Sequence, residues 1–306
     1  VSGGSGAARP DGVLLVGHGS RDPGGEEEIR TIGRLVAAAR PDLLFETGFL
    51  EMSAPSADEA LGRLVARRPA RVGVVPLMLG AAGHVKSDVP AIVLEGRAAH
   101  PELPFSYGRP LGADYGLVAA AGRRLVAAGA GGRPLVVVAR GTSDPEANAE
   151  AYRAARLVAE WTAAPMLTVG FSGLTWPTVE EAVSGALRLS EGPIGLFCWF
   201  LADGVLVERA RQEARQLVAA AGRELSDAGY LGPEAAVEVV LERVKETLGG
   251  RPAMTCDVCT YRRPWPGRED RVGQPLGVGH SHLAATHRHA PAVTPAEGAE
   301  RLLADG

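Results

Sequence analysis

The chain is written twice. "VLLVGHGSRDP" at residues 13–23 returns as "LVVVARGTSDP" at residues 135–145, and the same offset carries Gly48 onto Gly170 and Pro55 onto Pro177. "GFLEMSAPSADEA" thereby falls over "GFSGLTWPTVEEA", and a slightly shorter offset lays "PLMLGAAGHV" over "FCWFLADGVL". All βα units look somewhat alike, but unrelated ones do not keep a common register. Whatever one half folds into, the other half must fold into as well.

Each half reads as alternating strands and helices. The runs at 13–16, 72–79, 135–138 and 194–200 are short, apolar and unalternating, which is how strands buried on both faces of a parallel sheet read. Between them stand patterns such as "EEEIRTIGRLVAAARP" and "EANAEAYRAARLVAEW", with apolar residues at helical spacing and charge on the opposite face. The order predicts an α/β fold of two duplicated, doubly wound parallel-sheet domains. Closing the units are the helices "GADYGLVAAAGRRLVAAG" and "GPEAAVEVVLERVKETLGG", so the domains are expected at 11–131 and 132–250. A flexible stretch, 1–10, precedes them. Residues 251–306 have Cys, His, Pro and Gly without core periodicity and form a Cys/His-containing tail.

At 306 residues the chain has room for two domains with proper cores. A net charge of −4 gives no ground to expect nucleic acid or an anionic membrane as partner. No apolar stretch approaches the roughly 18–20 residues of a membrane helix, and the opening "VSGGSGAARP" lacks the apolar core of a signal peptide. Three cysteines, two of them in Cys256-x-x-Cys259, argue against a secreted disulfide framework. The expected address is the cytoplasm.

In an open parallel sheet, ligands bind beyond the carboxyl ends of the strands. Three ionisable residues of the first half belong there: His18 after the first strand, Glu51 after "FETGFL", and His84 after "VVPLMLGAAG". Their counterparts are Arg140, Gly173 and Val205, the pattern of one working site and one structural copy. Taken singly, each has a bland explanation: a helix cap, a solvated carboxylate, a loop histidine. Taken together they converge. Two imidazoles and a carboxylate suit Co²⁺, Fe²⁺, Ni²⁺ or Zn²⁺, and they suit proton abstraction near neutral pH equally well. Phosphoryl chemistry fits less, because "GHGSRDP" lacks the Lys-Ser/Thr ending of a P-loop.

With these residues in hand, "LLVGHGSRDP", "GFLEMSAPSADEAL" and "VPLMLGAAGHVKSDVP" resemble the class II sirohydrochlorin chelatases, the CbiX/SirB group. The likeness covers both halves and reaches the tail, where "MTCDVCTYRRPWPG" and the following histidines resemble the extension of the long cobaltochelatase form. The resemblance implies a chelatase-like fold and ATP-independent insertion of a divalent metal into sirohydrochlorin, a macrocycle with carboxylate arms. Cobalt, for the early-cobalt branch of cobalamin synthesis, is favoured by the long tail, with Fe²⁺ or Ni²⁺ as other candidate metals. The family's active-site residues carry over onto His18, Glu51 and His84; the chemistry of metal insertion then suits His18 and His84 to bind the ion and accept protons, with Glu51 assisting as a base or metal partner. Arg21 and Lys86, next to the two histidines in sequence, are expected to pair with substrate carboxylates. A siroheme ferrochelatase and a non-catalytic metal or tetrapyrrole carrier are the competing readings.

Cys256 and Cys259 have metal-ligand spacing but make only half of the four-ligand site that structural zinc or an iron–sulfur cluster takes, and an unmetallated pair is the other reading. Two chains together would complete such a site, and the long-form likeness suggests a 4Fe–4S cluster shared in a homodimer. His280, His282, His287 and His289 form a loose group suited to weak metal capture. Cys198 lies in an expected core strand and reads as a small hydrophobe.

Overall fold

The computed structural model of the protein describes residues 9–250 and 269–274. The first half runs β1 (Gly12–Gly17), α1 (Pro23–Ala39), β2 (Leu44–Phe49), α2 (Ala57–Ala66), β3 (Val72–Pro76), α3 (Gly83–Lys86), α4 (Asp88–Ala99), β4 (Phe105–Tyr107) and α5 (Tyr115–Ala127). The second runs β5 (Leu135–Ala139), α6 (Pro145–Trp161), β6 (Leu167–Phe171), α7 (Val179–Leu189), β7 (Ile194–Trp199), α8 (Val205–Ala220), β8 (Leu225–Tyr230) and α9 (Pro233–Leu248). Each half forms one parallel four-stranded sheet, in the orders β2-β1-β3-β4 and β6-β5-β7-β8. Among the described residues no helix is long and apolar enough to cross a membrane.

The repeat is built from the same local devices twice. Asp22 caps α1 by accepting from the Gly24 amide, and Asp144 caps α6 by accepting from the Glu146 amide, each followed by proline in the first turn. Proline is preset for that position because its missing N–H has no helical partner there anyway. Ser56 with Glu59 and Thr178 with Glu181 form reciprocal capping boxes at α2 and α7. A Cβ at Gly48 would stand 2.7 Å from the Ala57 Cα, and one at Gly170 would stand 2.8 Å from the Ala182 Cβ. Both positions therefore need glycine for the following helix to lie close on its strand.

Strand side chains alternate between two cores. Val13, Leu15 and Val75 point to the inside of the molecule, as do Leu135, Val137 and Ala139, and together they form one continuous core. Leu14, Val16, Val72 and Val74 face outward under α2 and α4, and Val136 and Val138 face outward under α7 and α8. The expected strand over 72–79 stops at Pro76, where a residue without an N–H ends the ladder. β8 reads "LSDAGY" and offers no apolar run to find it by.

The closing helices do something the sequence does not announce. α5 packs on β7, β8 and α6 of the second half, and α9 packs on β3, β4 and α1 of the first. Each sheet is thus covered on its inner face by the other half's last helix. The buried Arg243 of α9 ties down the crossing segment, donating to the Pro110 carbonyl at 3.2 Å, the Leu111 carbonyl at 2.9 Å and Asp114 Oδ2 at 2.9 Å. Cys198 is fully buried, and burial pushes its thiol pKa up to about 12, so it is packed and inert.

Candidate metal-binding site

β1 lies between β2 and β3, with Val16 level with Gly48 on one side and with Pro76 on the other. The chain leaves all three strands at one edge of the sheet, and His18, Glu51 and His84 meet there. One ligand atom from each lies within 4.8 Å of the others, a set that could hold a metal ion. Their side chains are 20%, 23% and 26% exposed, half-sunk in the mouth of the sheet.

The loops that carry them are stitched together. Glu51 N–H donates to the His18 carbonyl at 3.1 Å, and Ser20 N–H donates to Ser53 Oγ at 3.1 Å. Gly19 adopts φ +98°, and a Cβ there would come within 1.7 Å of the Glu51 carbonyl oxygen. Only glycine lets the His18 loop press this closely on the Glu51 loop.

His18 Nδ1 lies 3.3 Å from the Gly19 carbonyl and 3.2 Å from Glu51 Oε1. Both are acceptors, so the proton belongs on Nδ1 and the Nε2 lone pair is left for a ligand. Burial above all, then the positive charge of Arg140, then His84, lowers its pKa to about 3. His18 is a neutral imidazole at physiological pH. The two imidazole rings stand edge to face, with centroids 4.6 Å apart and planes at 88°.

His84 is held by residues that strand-end reasoning did not single out. Its Nδ1 lies 2.5 Å from Asp88 Oδ2, across the junction of α3 and α4. The other carboxylate oxygen of Asp88 is buried without a hydrogen-bond partner among the described residues, so this carboxylate is dedicated to the histidine. Tyr107 of β4 donates to the Val85 carbonyl at 2.5 Å and pins the turn from below. An outer carboxylate of this kind fixes tautomer and ring orientation and raises the basicity of the liganding nitrogen. The sequence does contain the signal, since His and Asp four apart share a helical face. Asp88→Asn is expected to weaken Co²⁺ binding to the ring-free protein by about 10- to 100-fold. A calorimetric Co²⁺ titration checks it, and an unchanged isotherm would remove Asp88 from the site.

Two expectations need correction. Lys86 is not free to meet substrate carboxylates. Its ammonium is buried between Asp144, at 3.0 and 2.8 Å, and Glu146, at 2.6 Å. Burial lowers its pKa, but the bonds to these two carboxylates outweigh that and raise it overall. At about 100° per residue, two positions beyond His84 put Lys86 on the far side of the turn, where it joins the first half to the cap of α6. The second correction concerns Arg140. Sequence comparison treats it as a position that lost its chemistry, yet its charge helps to lower the His18 pKa, and the nearby Glu51 carboxylate favours the charged guanidinium. Arg21 is exposed and has no hydrogen-bond or ion-pair partner among the described residues. Cys256, Cys259, His280, His282, His287 and His289 lie outside the described residues.

Fold and site together define a class: a duplicated α/β protein with, among the described residues, one set of metal-competent side chains, at the strand ends of its first sheet. Comparison with known proteins sharpens this. The CbiX family model matches residues 12–128 and again 134–247, and the chain belongs to the CbiX family. A sirohydrochlorin cobaltochelatase of Priestia megaterium is 34% identical over 82% of this chain and 84% of its own. A sirohydrochlorin ferrochelatase of the same organism is 26% identical over 82% of this chain and 95% of its own. Among solved structures, SirB from Bacillus subtilis with Fe³⁺ superposes with a TM-score of 0.69 at 26% identity, covering 78% of this chain and 95% of that one.

Proposed function

We propose that this protein is a sirohydrochlorin chelatase that inserts Co²⁺ into the macrocycle without ATP. The observation that carries the reading is the meeting of His18, Glu51 and His84 at the strand ends of one sheet, with each Nδ1 engaged by protein acceptors so that Nε2 is left to bind a metal. The greater identity to a cobaltochelatase than to a ferrochelatase, 34% against 26%, favours cobalt. The donor set itself does not, because the affinity order of divalent metals is mainly the metals' own.

Insertion replaces two pyrrolic N–H protons of the ring by one divalent ion, so two protons must leave as the ion sheds its water. His18, neutral and of low basicity, suits holding the ion better than storing a proton. Its Nδ1–H faces Glu51, and the carboxylate is then the group placed to receive a proton from the ring and pass it to solvent. His84, oriented by Asp88, supplies the second nitrogen. A site that holds ion and ring in line replaces a bimolecular encounter by an organised one.

In the same reading the sequence halves 11–131 and 132–250 are the two duplicated units, with the liganding side chains in the first. Cys256 and Cys259 would supply two of the four thiolates a 4Fe–4S cluster takes, which makes a homodimer through the tail the arrangement that completes one. Capture of metal by His280, His282, His287 and His289, and a cytoplasmic address, belong to the proposal too.

The test is anaerobic: protein, sirohydrochlorin, and Co²⁺, Fe²⁺ or Ni²⁺ in separate runs, followed by the visible spectrum of the ring. Multiple turnovers fastest with Co²⁺ are expected. A maximum with Fe²⁺ would move the enzyme to siroheme synthesis, and no acceleration with any metal would leave a carrier.

A further inference from the structure

Arg140 stands where the duplication would have placed a second His18. The two loops are built alike: Gly141, at φ +78°, presses on the Gly173 carbonyl, with a Cβ coming within 2.1 Å of its oxygen, as Gly19 presses on Glu51. Ser172 Oγ donates to the Arg140 carbonyl at 3.3 Å and fixes the backbone. The side chain itself is exposed. Its guanidinium makes no hydrogen bond or ion pair with any described residue, while lying near enough to influence both His18 and Glu51. Where the first half carries Glu51, the second carries Gly173, and a Cβ there would meet no atom within 4 Å. The second half therefore offers a cation and open space at the place where the first offers ligands.

A fixed positive charge beside a divalent-ion site works against the ion. Metal capture does not explain it, and the fold does not use it as a structural tie. An anionic ligand that must lie between the two halves does explain it. We propose that Arg140 is the second half's contact with substrate: its guanidinium takes a peripheral carboxylate of the macrocycle, across the cleft from His18, Glu51 and His84. Arginine suits this place because its planar fork engages a carboxylate through two parallel hydrogen bonds and keeps its charge when partly desolvated. Anchored by one arm there, the ring would present its nitrogens toward the histidines. The inference rests on the tetrapyrrole reading given above, and names how that same site holds its organic substrate.

The experiment compares the full-length wild type with R140Q and R140K. Metal-free sirohydrochlorin is titrated without metal, followed by quenching of tryptophan fluorescence, and Co²⁺ is titrated without sirohydrochlorin. R140Q is expected to bind the macrocycle about tenfold or more weakly, the scale of losing a charge-assisted bidentate pair, with R140K between the two. In steady state the loss falls on KM for the macrocycle far more than on kcat. Co²⁺ binding to the ring-free protein stays as tight or tightens, because a repelling charge has gone. Equal macrocycle affinity in wild type and R140Q would overturn the proposal. So would a parallel loss of Co²⁺ binding, which would mark a merely structural arginine. If the wild type binds the ring without metallating it, the chelatase reading fails, and the R140Q titration still decides this one. A wild type that does not bind the ring would end both.

Discussion

His18→Ala is expected to reduce metal insertion by about a thousandfold or more, the combined scale of losing a positioned metal ligand and the partner that orients Glu51. The fold should survive it. His18 is 20% exposed, neutral, and holds no distant element in place, so its removal strands no buried charge. The same variant has a second readout. A histidine at about 3 in the folded protein and about 6.5 when unfolded binds more protons in the unfolded state between those values. Its burial as a neutral ring is therefore fully accommodated above pH 6.5, and stability is lost as pH falls from there toward 3. The slope is about 1.4 kcal/mol per pH unit for one proton. Chemical denaturation of the ring-free protein at pH 7, 6 and 5 should show that slope in wild type and a shallower one in His18→Ala. Near-normal turnover in the variant would remove His18 from the site, and an unaltered slope would mean that the imidazole is not buried as described.

Gly19→Ala is expected to be nearly as damaging by a different route. The residue sits at φ +98°, and the new Cβ would lie 1.7 Å from the Glu51 carbonyl oxygen. Relief requires the Glu51 loop to withdraw, which carries the carboxylate away from His18. Backbone strain and overpacking together cost about 2–5 kcal/mol, and insertion should fall by about a hundredfold as alignment is lost. Gly129→Ala is the control, because Gly129 has φ +74° but an added Cβ would meet no atom within 4 Å. It carries only the conformational penalty, about 1 kcal/mol, and should leave turnover intact. The measurements are thermal midpoints and kcat for both variants. A fully active Gly19→Ala protein would refute the tight apposition of the two loops.

Much of this architecture could be read from the chain. The Asp-Pro pairs at 22–23 and 144–145, the glycines at 48 and 170, and the apolar runs that became β1, β3, β5 and β7 all speak through local chemistry. The strand-end rule did the rest for His18, Glu51 and His84, because order along the chain and parallel pairing suffice to bring them together. What stayed hidden were matters of direction. The amphipathic pattern of α5 and α9 says that each has an apolar face, not which sheet that face will cover. Lys86 looked functional by nearness to His84, yet a helical turn sends it the other way. Arg140 looked like a loss because comparison by residue type does not show that its charge bears on His18.

The exchange of closing helices has a consequence in time. A ribosome delivers the chain in order, and domains generally fold as units from the N-terminal end. Here His18, Glu51 and His84 are all made early, but the inner face of their sheet waits for α9, residues 233–248. Until that helix emerges, the nascent first sheet is an unroofed apolar surface and its metal-competent edge has no finished support. The helix that closes the second half thus completes the support of the site encoded in the first.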